Sequence, residues 1–176
     1  MALSAPIDMT NEQIRDTLAP VRSPVSIALY RHGNAFSVGG IIRVAHSYLV
    51  REIFLIGTEP YYEKASMGMH HYENIIQVPD DDAFLQAVDA RPLWAVEKDH
   101  ATVSLPHVRR FPEDVVFVFG SERFGLPESV VDASDEVIGI PMYGINNSFP
   151  VVVTSGVVLY AWASTYYPGR LIPAPE

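Results

Sequence analysis

Val115-Val-Phe-Val-Phe-Gly-Ser-Glu-Arg-Phe-Gly-Leu-Pro127 is the stretch on which the reading of this chain turns. Val115 to Phe119 is an unbroken apolar run, the pattern of a strand covered on both faces at the centre of a parallel sheet. Gly120 ends the run. Ser121-Glu-Arg-Phe-Gly125 then reads as a polar turn between two glycines, expected to bend tightly and to present backbone N–H groups at the strand's carboxyl end. Open α/β sheets bind their ligands at that end.

Working upstream, Pro92 to Val96, Ile75 to Val78, Glu52 to Gly57 and Val25 to Tyr30 read as four further strands. Between them lie helical segments. Val38, Ile41, Ile42, Ala45 and Leu49 form one apolar stripe, with Ser37 as its N-cap and Arg43 off the stripe. Asp80-Asp-Asp82 places acids in the first turn of the next helix, where the dipole favours them. Thr10-Asn-Glu-Gln13 has capping-box spacing and predicts a short helix over 11–19. Glu97 to Pro112 shows no period, and its Arg109-Arg110 pair is expected to be exposed. Downstream, Val137 to Met142 is another short apolar strand, and a long apolar segment runs from Val151 to Trp162. Strands alternating with helices predict a single α/β domain with a mostly parallel sheet flanked by helices.

With 176 residues, 48% of them hydrophobic and 19% charged, the chain has the composition of an ordinary globular domain. It contains no cysteine, which excludes disulfides and thiolate metal sites. No membrane span or secretory leader is legible, so a cytoplasmic location is expected. The net charge of −9 gives no general attraction to nucleic acid. An RNA partner would need a local basic patch, for which Arg31, Lys64, Arg109, Arg110 and Arg123 are the candidates. His70 and His71, being adjacent, are expected to point apart, which argues against a shared metal.

The order GSERFGL (120–126), IPMYG (140–144) and NNSFPVVVTSGVVLYAW (146–162) resembles the second and third motifs of the SPOUT superfamily of RNA methyltransferases, in its SpoU/TrmH-type branch. Gly39-Gly-Ile-Ile-Arg-Val-Ala45 resembles that branch's first motif, with Arg43 as its arginine. The resemblance runs in order from about Val25 to Tyr160. It implies a C-terminal trefoil knot over about 115–166, a homodimer with a composite site, S-adenosylmethionine as cofactor, and methyl transfer to a ribose 2′-oxygen of tRNA or rRNA. The cofactor pocket it implies comprises Phe119, Gly120, Ser121, Glu122, Ile140, Met142, Ser148 and Val151. Backbone carbonyls and N–H groups would read the ligand, which explains glycines and prolines at fixed places.

On the catalytic side the resemblance implies Arg43, Ser148, Asn34 and Glu122. A guanidinium grips phosphate bidentately and stabilises developing oxyanion charge, but with a pKa above about 12 it is a poor base, so Arg43 is assigned to positioning. Glu122 is assigned to holding its loop, and Ser148 either to the ligand or to capping the helix near Val151. Two motif positions depart from the family. Its third motif usually reads Ser-Leu-Asn-Val, where this chain has Ser148-Phe-Pro-Val151. The usual first-motif asparagine falls at Ser37, so either Asn34 swings in from a longer loop or Ser37 does a reduced job. These departures keep two alternatives open: a silent homologue that binds RNA or cofactor, and a nucleotide-binding α/β protein without an RNA substrate.

Overall fold

The computed structural model describes residues 9–146 and 148–167. In chain order the elements are α1 (Asn11–Leu18), β1 (Ser26–Tyr30), α2 (Ser37–Ser47), β2 (Ile53–Ile56), β3 (Ile75–Val78), α3 (Asp81–Val88), β4 (Leu93–Val96), β5 (Val103–Ser104), β6 (Val116–Phe119), α4 (Glu128–Asp132), β7 (Glu136–Gly139) and α5 (Val151–Tyr166). All strand pairings are parallel, in the order β3-β2-β1-β6-β4-β7-β5. Parallel neighbours bury both faces of a strand, and β6, the central strand of the seven, between β1 and β4, is buried at all four positions.

Alternation along β6 feeds two cores. Phe117 and Phe119 pack with α2 and α5, while Val116 and Val118 pack with α3 and α4. Arg91 clamps the amino edge of the sheet, donating to Glu52, Ser26 and the Asp114 carbonyl. Another buried polar knot joins α2 to the segment before β3: Arg22 and His46 both reach the fully buried Glu73 carboxylate, at 2.8 and 2.7 Å.

Several local expectations hold. Thr10 and Gln13 make both capping-box bonds, and Asp80 Oδ1 accepts from Ala83 N–H at the start of α3. Arg109 and Arg110 are exposed. Others do not hold. Ser37 is the first residue of α2 rather than its N-cap; Phe36 takes the cap position and makes no side-chain cap. The strand expected over 137–142 ends at Gly139, two residues before Pro141, which has no N–H to continue a ladder. β5 and α4, two and five residues long, carry too few residues to show a period. The imidazoles of His70 and His71 do not diverge: in their 3-10 turn the ring centroids are 3.9 Å apart, and Ser66 Oγ holds His70 Nδ1 at 2.6 Å. Among the described residues no helix is long and apolar enough to cross a membrane.

Candidate active site

β1, β2 and β3 run outward on one side of the sheet, and β6, β4, β7 and β5 lie on the other. The switch point is therefore between β1 and β6, where an open sheet leaves a crevice beyond its carboxyl ends. The loops leaving these two strands are joined by one side chain. Asn34 is 2% exposed; its amide donates to the carbonyls of Tyr30 and Gly120, and its Oδ1 accepts from Glu122 N–H at 2.9 Å.

The turn after β6 is closed on itself. Ser121 and Gly125 exchange two backbone hydrogen bonds, at 3.0 and 2.8 Å, and Ser121 Oγ accepts from the N–H groups of Arg123 and Phe124. With Glu122 N–H taken by Asn34, every N–H from Ser121 to Gly125 has an acceptor within the protein. The expected display of free N–H groups is thus corrected: a ligand here meets side chains and carbonyls, not an anion cradle. Glycine is required at both ends of the turn. A Cβ on Gly120 would lie 2.5 Å from the Gly125 carbonyl carbon, and Gly125 has φ +68°.

Glu122 projects from this turn to two helices. Its Oε1 accepts from Ser37 Oγ at 2.9 Å, at the start of α2, and from Val151 N–H at 3.2 Å, at the start of α5. Pro150, the cap residue of α5, has φ −53° and ψ 138° and carries no side-chain cap, so the Glu122 carboxylate serves an otherwise orphaned N–H and the positive end of the helix dipole. Ser148 does not cap the helix, which corrects that part of its expected role.

Beyond the turn lies a cleft of about 490 Å³. Phe119, Gly120, Ser121, Glu122, Ile140, Met142, Ser148 and Val151 all line it, from three separate segments of the chain. Its floor is apolar, with Phe119, Ile138, Ile140 and Val151. The segment 97–100, from Glu97 to His100, forms the opposite wall and was not anticipated; its position directly after a buried strand is the signal that marks it. There Glu97 Oε1 accepts from Lys98 N–H, turning its carboxylate into its own loop. Thr154, one turn into α5, also lines the cleft.

Two of the anticipated catalytic residues stand outside the cleft. Asn34 is packed beneath the turn with its amide fully engaged, and Arg43 is exposed on the outer face of α2. The anticipated basic cluster divides. Arg123 lines the cleft, Arg31 stands in the adjoining loop after β1, and Lys64 lies in the 3-10 turn packed on α2. Arg110 precedes Phe111, whose carbonyl takes the phenol of Tyr166 at the last residue of α5, about 22 Å along that helix from Val151.

The SpoU rRNA Methylase family matches residues 24–160, from just before β1 into α5. The tRNA (cytidine(34)-2′-O)-methyltransferase of Methylovorus glucosotrophus (strain SIP3-4) is 27% identical over 157 residues, covering 82% of this chain and 98% of that protein. Among solved structures, the A. aeolicus TrmH/SpoU tRNA modifying enzyme has a TM-score of 0.75 at 22% identity, over 90% of this chain and 83% of the other. The AdoMet-bound rRNA methyltransferase from Sinorhizobium meliloti gives 0.72 at 24% identity, over 85% of this chain and only 59% of its own. The structural likenesses speak for the fold. The sequence match covers both the sheet and the loops that wall the cleft, and on it the chain belongs to the SpoU rRNA Methylase family, the SpoU/TrmH-type branch of the SPOUT methyltransferases.

Proposed function

We infer that this protein transfers a methyl group from S-adenosylmethionine to a ribose 2′-oxygen of tRNA. The observation that carries this reading is the convergence of the turn after β6, the segment after β7 and the start of α5 on one cleft at the carboxyl ends of the strands. The cleft suits the cofactor. Its volume falls within the roughly 300–1,000 Å³ of small-molecule sites, its floor accepts a flat apolar face, and polar groups stand at its rim. Bound there, S-adenosylmethionine supplies an electrophilic methyl group. Phe119, Ile140 and Val151 would bind the nucleoside, and Glu122 would hold the turn against α2 and α5 so that the wall keeps its shape.

A ribose hydroxyl is a weak nucleophile, and orientation supplies much of what it lacks, up to roughly 7–11 kcal/mol. Arg43 is the group for that task, gripping the neighbouring phosphate. It does not enter its own chain's cleft, so the reading requires a homodimer. An exposed apolar stripe on α5, Val153, Val157 and Tyr160, lies beside Val44 and Tyr48 of α2, next to Arg43. Pairing through this face would bury the stripe and carry Arg43 into a second subunit.

A trefoil knot belongs to the same reading. The chain passes from β4 outside β7 to β5 and back to β6, and α5 then lies against this excursion through Phe111 and Pro112. The near full-length likeness to a tRNA enzyme favours tRNA over rRNA, with the wobble cytidine as the first position to try. On this reading the enzyme works in the cytoplasm, where its substrate is.

The test is transfer of tritiated methyl from S-adenosylmethionine to fractionated RNA, followed by digestion to nucleosides. Label is expected in a 2′-O-methylated nucleoside of the tRNA fraction. Label confined to rRNA would move the substrate. Cofactor binding with no label in any fraction would make this a silent homologue.

A further inference from the structure

Beside the cleft, the loops after β1 and β2 hold aromatic rings out into solvent. Phe36 is 74% exposed and Tyr62 48%, with ring centroids 5.5 Å apart. The pair is held rigidly: Tyr62 N–H donates to the Ala35 carbonyl at 2.8 Å, fixing one loop on the other. On the other side of Asn34, His32 stacks on Phe124 at 4.7 Å and 19°, and Phe124 is itself 58% exposed. Rings of this size are normally buried, and four held open along one edge need a partner.

Cations are interleaved with these rings. The Arg31 guanidinium lies 5.7 Å from the Tyr61 ring, with Nη1 donating to the Gly57 carbonyl and to Gln77 at 3.3 Å and Nη2 left for a phosphate. Arg123 lies 5.3 Å from the Phe124 ring, and Lys64 follows two residues after Tyr62. The acids nearby have polar partners of their own: Glu59 lies 3.3 Å from His32, Glu63 3.8 Å from His70, and Glu122 accepts from Ser37 and the start of α5. Flat π-faces alternating with arginine and lysine are what unstacked bases on a phosphate chain require. The surface better suited to a second copy, the apolar stripe on α5, is a different one.

We propose that Phe36 and Tyr62 form a stacking platform for nucleobases of single-stranded RNA flanking the methylated nucleotide, with Arg31 and Lys64 on its phosphates. The proposal rests on the RNA-methylation reading and adds to it how an acidic protein grips its substrate: by base faces first, with only a few phosphate contacts. Specific nucleotides are then presented to the cleft by splaying a loop rather than by reading a duplex groove.

The test measures RNA binding rather than transfer. Fluorescence anisotropy is read on a labelled mixed-sequence single-stranded RNA of about 15 nucleotides and on an abasic RNA of the same length. Phe36→Ala and Tyr62→Ala should each weaken the base-containing RNA about ten-fold and leave the abasic RNA unchanged. Phe36→Tyr should restore binding. Calorimetric affinity for S-adenosylmethionine and the mass in light scattering should match wild type in all three variants. Unchanged RNA affinity, or equal loss on both RNAs, overturns the platform, and so does a dimer that falls apart in Phe36→Ala, which would make the patch a self-association surface. A wild-type protein that methylates RNA yet ignores both alanines overturns the platform alone; one that binds no RNA overturns the methylation reading with it. Phe36→Trp provides a direct check, because its exposed indole should be quenched by the base-containing RNA and not by the abasic one.

Discussion

Glu122 caps a helix that it does not belong to. Its Oε1 accepts from Val151 N–H at 3.2 Å across 29 residues, while the same oxygen accepts from Ser37 Oγ. One carboxylate therefore ties the turn after β6 to the first residues of α2 and α5. Glu122→Ala should lower stability by about 0.5–2 kcal/mol, the value of a lost helix cap, and weaken cofactor binding because the wall of the cleft loses its anchor. Glu122→Gln keeps an acceptor and should lie between the two. Thermal unfolding and calorimetric titration check both, and wild-type affinity in the alanine variant would remove Glu122 from the site.

Arg43 should behave in the opposite way. It is exposed and does not line the cleft of its own chain, so Arg43→Ala should leave stability and cofactor affinity unchanged while abolishing methyl transfer, a loss in kcat rather than in binding. Mixing Arg43→Ala subunits with cofactor-defective Gly120→Ala subunits should restore part of the activity if the arginine acts across a dimer. No recovery in the mixture would return Arg43 to a role within one chain.

Pro150 stands where the family's third motif has an asparagine, and Asn34 is the side-chain amide that could take over its role. In the structure Asn34 spends its amide on three internal bonds, and Pro150 occupies a cap position that needs no donor. Asn34→Ala leaves Glu122 N–H and two carbonyls without their partner, and should cost about 1–3 kcal/mol and disturb the cleft together with the fold. Pro150→Asn places a favoured cap residue at an extended backbone position and should change stability by under about 1 kcal/mol. A faster Pro150→Asn enzyme would show that the family's amide is missed; an unchanged rate would show that it is not. Chemical denaturation with steady-state kinetics gives both readings.

Tyr30 gives a pH signature. Its hydroxyl donates to Asp81 at 2.6 Å, and burial, reinforced by that carboxylate, pushes its pKa far up. The folded state thus holds this proton more tightly than the unfolded chain does. The resulting stabilisation is complete below the unfolded pKa of about 10 and is lost progressively as pH rises above it. Wild-type stability should fall between pH 10 and higher values by more than that of Tyr30→Phe, whose curve lacks this component while lying lower at neutral pH. Parallel curves for the two proteins would show that Tyr30 does not titrate differently on folding.

Sequence by itself determined a good deal of this protein. Apolar runs marked the five inner strands because residues covered on both faces are mostly apolar, as at Val116 to Phe119. Motif order placed eight cleft residues in advance, since a turn such as Gly120 to Gly125 imposes backbone demands that only certain residues meet. Tertiary structure decided what those residues do. That the turn's N–H groups are all taken, that Glu122 rather than Ser148 caps α5, and that Asn34 is a latch beneath the loop depend on partners tens of residues away, which no local pattern records. The wall from Glu97 to His100 has no period or composition of its own; following a buried strand marks it only as a loop at the sheet's carboxyl end, and it becomes part of a site because parallel pairing sets β4 beside β6 and aims both loops at the same cleft.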